Sequence, residues 1–111
     1  MAYDAGLEER MNEYFFGRKD VQVKKMFGGL CYMVNNHMCC GILGDTLMAR
    51  VGNERYSECL AQKHVREMDF IGKVMKGMVY VLPEGIAKEA DLTRWITVCE
   101  SFVQTLPPRR K

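Results

Sequence analysis

The chain has 111 residues, of which 48% are apolar and 27% charged, and a formal net charge of +2. That is room for one domain and one hydrophobic core, and the apolar share is too high and the net charge too small for a disordered chain. The charge balance does not by itself point to nucleic acid or to an anionic membrane, and no apolar run in the sequence approaches the ~20 residues of a membrane helix.

The acidic, amphipathic start MAYDAGLEER does not read as a secretory signal, so a cytoplasmic location is expected. Five cysteines is an odd count, with Cys39 and Cys40 adjacent. In a reducing compartment they are expected to stay thiols and to pack as small apolar groups. The nine methionines are expected mainly as core filler.

Residues 4–16 are predicted to form a helix. Leu7, Met11, Tyr14 and Phe15 recur on one face, Glu8 and Glu9 come early, Arg18 and Lys19 late, and Gly17 ends the pattern. Residues 21–27 read as an extended lead-in, interrupted by Gly28-Gly29 as a bulge or bend. Three strands follow, at 30–34, 37–43 and 46–51. Their separators, Asn35-Asn36 and Gly44-Asp45, tolerate the positive φ of primed hairpin turns. Asn53 is a candidate N-cap for a helix at 54–62. Two more strands, at 65–70 and 78–82, flank the basic connection Gly72-Lys73-Val74-Met75-Lys76-Gly77. After the turn Pro83-Glu84-Gly85, a last helix at 89–106 buries Leu92, Trp95, Ile96, Cys99, Phe102, Val103 and Leu106. Pro107-Pro108 ends it and leaves a basic, Pro-rich tail at 107–111. The order α-β3-α-β2-α predicts a single α+β domain over 1–111, with its core at about 4–106. It is expected to be two-layered, with helices on one face of a five-stranded, mainly antiparallel sheet.

Two-residue turns fix a register. Val34 is then expected opposite His37, Met33 opposite Met38, Tyr32 opposite Cys39, and Cys31 opposite Cys40. Across the second turn, Cys40 faces Ala49, Cys39 faces Arg50 and Ile42 faces Leu47. Cys31, Met33, Met38, Cys40, Ile42, Leu47, Ala49 and Val51 thus share an apolar face for the helices. The opposite, mixed face carries Leu30, Tyr32, Val34, His37, Cys39, Leu43, Thr46, Met48 and Arg50. Of these, Tyr32, Val34, His37, Cys39, Met48 and Arg50 form the candidate interaction face, for a protein partner or a second copy of the chain.

The chemistry-bearing residues concentrate in the same stretch. Cys31 and Cys40, directly opposite in this register, are a candidate redox pair. His37, Cys39 and Arg50 sit near one another on the mixed face, without the carboxylate that would orient a nucleophile's base. No metal site is expected: neighbouring Cys39 and Cys40 point to opposite faces of a strand, and no CxxC is present. The glycine-flanked segments match neither phosphate-loop pattern. Lys24, Lys25, Arg50, Lys73 and Lys76, with Phe27 and Tyr32, are a candidate basic-aromatic patch, but Asp and Glu total 14 and no single-sign stripe stands out. Direct nucleic-acid binding is therefore not expected, and no catalytic residue or cofactor is assigned.

Five stretches carry a family resemblance: Lys25-Met26-Phe27-Gly28-Gly29, Arg50-Val51-Gly52, Arg66-Glu67-Met68-Asp69-Phe70, Met75-Lys76-Gly77-Met78 and Leu92-Thr93-Arg94-Trp95. Over about residues 8–108 the chain resembles the N-terminal domain of the TfoX (Sxy) family, bacterial regulators linked to competence genes. The resemblance implies a two-layer α/β fold like that of secretion chaperones and brings no catalytic motif. The full-length regulators have a second, C-terminal domain, and departing from them this chain is expected to be a stand-alone domain of the type. The function expected is a non-catalytic regulatory or adaptor module acting through protein contacts, linked to transcription or competence. The alternative is a small thiol- or ligand-dependent enzyme or sensor built on His37, Cys39 and Arg50.

Overall fold

The computed structural model describes residues 4–26, 28–70 and 72–107. The expectations placed on Phe27 and on Arg109-Arg110-Lys111 lie outside these residues.

Helix α1 (Ala5–Tyr14) begins where Asp4 caps it. The carboxylate accepts from the amides of Gly6 at 2.7 Å and Leu7 at 3.4 Å. Leu7 and Met11, with Phe15 just beyond the helix, form its buried stripe, and Gly17 at φ +78° turns the chain. Arg18 then ties the connection down. It donates to Asp20 at 2.9 Å and to Glu100 at 3.2 Å, and Asp20 and Glu100 in turn raise the guanidinium pKa through their hydrogen bonds. The hydrogen bond from Arg18 lowers the Asp20 pKa.

Strands β1 (Val21–Met26), β2 (Gly29–Val34), β3 (His37–Leu43) and β4 (Thr46–Arg50) follow, then α2 (Asn53–Leu60), β5 (Val65–Phe70), β6 (Lys73–Val81), a 3-10 turn at Pro83–Gly85 and α3 (Glu89–Val103). All strand pairs are antiparallel, in the order β1-β2-β3-β4-β6-β5. The fold is α+β with its helices on one face, as expected, but the sheet has six strands rather than five. The extended lead-in is a full strand, paired from Val21↔Val34 to Met26↔Gly29. Gly28, at φ +80°, belongs to a tight hairpin connection and not to a bulge. The glycine-flanked connection is also shorter than expected. Phe70 pairs with Lys73, so residues 73–77 belong to β6. Among the described residues no helix is long and apolar enough to cross a membrane.

The β2–β3 register departs from expectation at one residue. Val34↔His37 and Met33↔Met38 pair as expected, but Tyr32 then pairs with Cys40, Cys31 with Gly41 and Leu30 with Ile42. Cys39 is the extra residue of a bulge. A one-residue slip exchanges the two faces of a strand. Tyr32 and Val34 therefore join the helix-side core, with Cys39, Cys40, Ile42, Leu47, Ala49, Val79 and Val81 of the sheet and Trp95, Ile96 and Cys99 of α3. Cys31, Met33 and Met38 turn to the other face and meet Met48, Met68 and Met78 there. β3–β4 pairs Cys40↔Ala49 and Ile42↔Leu47 as expected.

The second face is thus a compact methionine layer rather than a wetted surface, with all six of these side chains at most 8% exposed. Methionine suits the job, because its unbranched thioether fills irregular space between twisted strands. Gly41 makes room: a Cβ there would collide with the Leu30 carbonyl and lie 2.8 Å from Met48 Cε. Burying each large side chain contributes about 2 kcal/mol.

Candidate interaction surface

The six residues expected as an interaction face do not form one. Tyr32 and Val34 are 1% exposed, and Cys39 and Met48 are fully buried. The bulge also separates them: Tyr32, Val34 and Cys39 lie under the helices, whereas Met48 lies in the methionine layer. The Tyr32 ring stacks on Phe15 at 5.4 Å between centroids, and its hydroxyl donates to Asn12 Oδ1 at 2.6 Å. His37 and Arg50 are partly exposed but serve different contacts. His37 Nε2 lies 2.6 Å from the Pro107 carbonyl. The Arg50 guanidinium sits 5.3 Å over the Phe102 ring and donates to the Met38 carbonyl at 3.2 Å.

The thiols are rearranged by the same bulge. Cys31 and Cys40 do not face each other, since Cys31 pairs with Gly41 and the two thiols lie in the cores on opposite faces of the sheet. The expected redox pair is therefore absent. Cys39 and Cys40 do share a face, against the alternation expected of a strand, and Cys99 of α3 completes a buried trio. Hydrogen bonds from Cys40 and then Cys99 favour the Cys39 thiolate, while that same bonding, with burial, pushes Cys40 and Cys99 up. Burial pushes the Cys31 thiol up to about 11. Among the described residues, no group of three or more His, Cys, Asp or Glu has the arrangement to hold a metal ion. All five cysteines are buried and free. We expect a thiol reagent to modify them on native protein at least about 1,000-fold more slowly than in denaturant, because reaction requires opening of the core. Rapid native labelling of any one would contradict the packing.

The exposed apolar groups lie elsewhere. Phe16 is 88% exposed, Val74 50%, Val23 48% and Met26 37%. Val23 pairs with Tyr32, and directly opposed residues share a face. Val23 therefore lies on the helix side, beside the Tyr32–Phe15 stack that immediately precedes Phe16 in the chain. β1 pairs on one side with β2 and ends the sheet on the other, with five of its six residues exposed. The outer face of α1 adds an open groove of about 790 Å3, lined by Ala5, Glu8, Glu9, Asn12, Glu13 and Phe16. None of these groups was singled out from the sequence. The alternation Val21-Gln22-Val23-Lys24 was a readable strand signal, and Phe16 falls one residue off the stripe of α1.

The basic residues divide. Lys24 and Lys25 lie on β1 at one edge, whereas Lys73 and Lys76 lie on β6, four strands away in the order. With Tyr32 buried, the described members of the expected basic-aromatic patch do not assemble. Arg50 and Lys76 do meet, at a pocket between α2 and α3.

Three helices layered on one face of an open, antiparallel sheet define a two-layer α+β domain. A profile of the TfoX N-terminal domain matches residues 13–103, and the chain belongs to that family. No curated protein and no solved structure matches the chain.

Proposed function

We propose that this domain is a non-catalytic regulatory or adaptor module that acts through protein contacts, in the transcriptional or competence setting its family suggests. Its contact surface is the open edge of β1 together with Phe16, rather than a face of the sheet. The observation that carries this reading is Phe16, a phenylalanine 88% exposed that directly follows Phe15, whose ring stacks on Tyr32, the β2 partner of the half-exposed Val23 on the edge strand β1. Apolar area of this kind next to open backbone hydrogen-bonding groups marks a place where a partner strand adds. Lys24 and Lys25 disfavour pairing of one β1 with another by like-charge repulsion, so an extended partner segment bearing acidic residues fits better than a second copy. The thiol alternative has weaker support, because the neighbours of the Cys39 sulfur are two other thiols under α3.

The test is a tagged domain incubated with native lysate and compared with Phe16→Asp/Val23→Asp by quantitative mass spectrometry. Both sites are exposed, so stability should change by no more than about 0.5 kcal/mol each. A partner captured by the wild type should be lost from the variant, and its binding should slow amide exchange along β1. Capture unaffected by both substitutions would remove the β1 edge from consideration.

A further inference from the structure

A pocket of about 470 Å3 opens where four elements meet, and no part of the interaction surface uses it. Its lining brings together Arg50 from the end of β4, Arg55 from the first turn of α2, Lys76 from β6 and Phe102 from α3. We propose that this pocket binds the phosphoryl group of a phosphorylated small molecule, with a diphosphate the best match to its charge.

The cations carry the argument. Three converge from three separate elements, against one carboxylate in the lining, Glu54. Among the described residues neither Arg55 nor Lys76 is ion-paired. Arg50 is held in place: its guanidinium lies over the Phe102 ring at 5.3 Å and bonds the Met38 carbonyl at 3.2 Å, and its backbone amide bonds Cys99. A pre-positioned guanidinium gives up little rotamer freedom on binding.

Two glycines with positive φ line the pocket and let its walls approach closely. Gly52, at φ +86°, precedes α2 where a Cβ would fall on the Phe102 ring, and Gly77, at φ +87°, lies in β6 where a Cβ would come 3.1 Å from Asn53 Oδ1. The Gly77 carbonyl accepts from Val51 at 2.8 Å and Gly52 at 3.0 Å, which docks the two segments. No side chain caps α2, so its first-turn amides add to the positive end of the pocket. The family resemblance rests partly on Arg50-Val51-Gly52 and Met75-Lys76-Gly77-Met78, and it is these two stretches that meet here.

The shape favours a small ligand over a polynucleotide. The volume falls in the range of small-molecule sites. A strand of nucleic acid needs a basic track several phosphates long, and here Lys24 and Lys25 lie at the far edge of the sheet.

The experiment is a titration of 15N-labelled wild-type domain with pyrophosphate and separately with ADP, followed by amide shifts at low ionic strength. Saturable shifts are expected at Gly52, Asn53, Glu54, Arg55 and Gly77, with Kd of about 0.1 mM that weakens as salt is added. The variant Arg55→Gln/Lys76→Gln should keep its fold, since both residues are exposed, and should bind at least about 10-fold more weakly. Glu54→Gln should bind more tightly, a gain that a purely structural role would not produce. An unchanged wild-type spectrum at about 10 mM pyrophosphate and ADP, or equal affinity in the double variant, overturns the proposal. So does a result in which a single-stranded oligonucleotide saturates these amides and the small phosphates do not.

Discussion

Met48→Glu is expected to remove much of the stability of the fold, and Tyr32→Glu to do the same. Met48 is fully buried in the methionine layer, packed among apolar side chains, and lies across Gly41. Tyr32 is 1% exposed, stacked on Phe15 and hydrogen-bonded to Asn12. An uncompensated carboxylate in either place costs at least about 4 kcal/mol, against a total stability of about 5–15 kcal/mol for a domain of this size. Far-UV circular dichroism through a urea series reads the loss directly. Met48→Leu sets the control, since a volume-conserving exchange should cost less than about 1.5 kcal/mol. A Met48→Glu protein with an unchanged midpoint would mean that this face is open to water. The same reasoning disqualifies both substitutions as probes of binding, because lost capture would report lost structure.

Gly52→Ala is expected to cost about 3 kcal/mol by two separable routes. Gly52 has φ +86° and ψ 161°, a backbone region open almost only to glycine. A Cβ at this position would also fall on the Phe102 ring. The ring cannot move freely, because Arg50 lies over it. A double-mutant cycle with Phe102→Ala separates the two causes. Removing the ring relieves the collision but not the strain, so the pair should be less destabilised than the sum by about 1 kcal/mol or more. Strict additivity in chemical denaturation would refute the steric half. The single variant should also displace Phe102 and Arg50 and so weaken pyrophosphate binding.

The element order was readable in the chain because each signal was local. Asp4 ahead of the Leu7–Met11 stripe starts a helix, and Gly17 follows it at φ +78°. Asn35 and Asn36, at φ +52° and +67°, make the expected tight hairpin. The stripe of Leu92, Trp95, Ile96, Cys99 and Val103 is the buried face of α3. The lead-in at 21–27 was under-read: its alternation was present, but an edge strand buries so little that no apolar run announced it.

The candidate site was legible only in part. Arg50 was singled out, but Phe16, Val23, Arg55 and Phe102 were not, because each matters through exposure or through neighbours distant in sequence. The single residue that misdirected the reading was Cys39. The one hint of a bulge at Cys39-Cys40 is Gly41, a lone glycine inside the strand, and the alternation was carried straight through it.

By itself, the sequence determined the helices, the hairpins at 35–36 and 44–45, the family and the absence of any strong charge bias, since propensity, periodicity and turn chemistry act within a few residues of one another. Tertiary structure decided which face each β2 side chain serves, that methionines fill the second core, and that Arg50, Arg55 and Lys76 converge on one pocket. Those outcomes depend on how α3 packs on β3 and β4 and on where a single extra residue is accommodated. Such choices minimise voids across the whole core and leave no mark in any one segment.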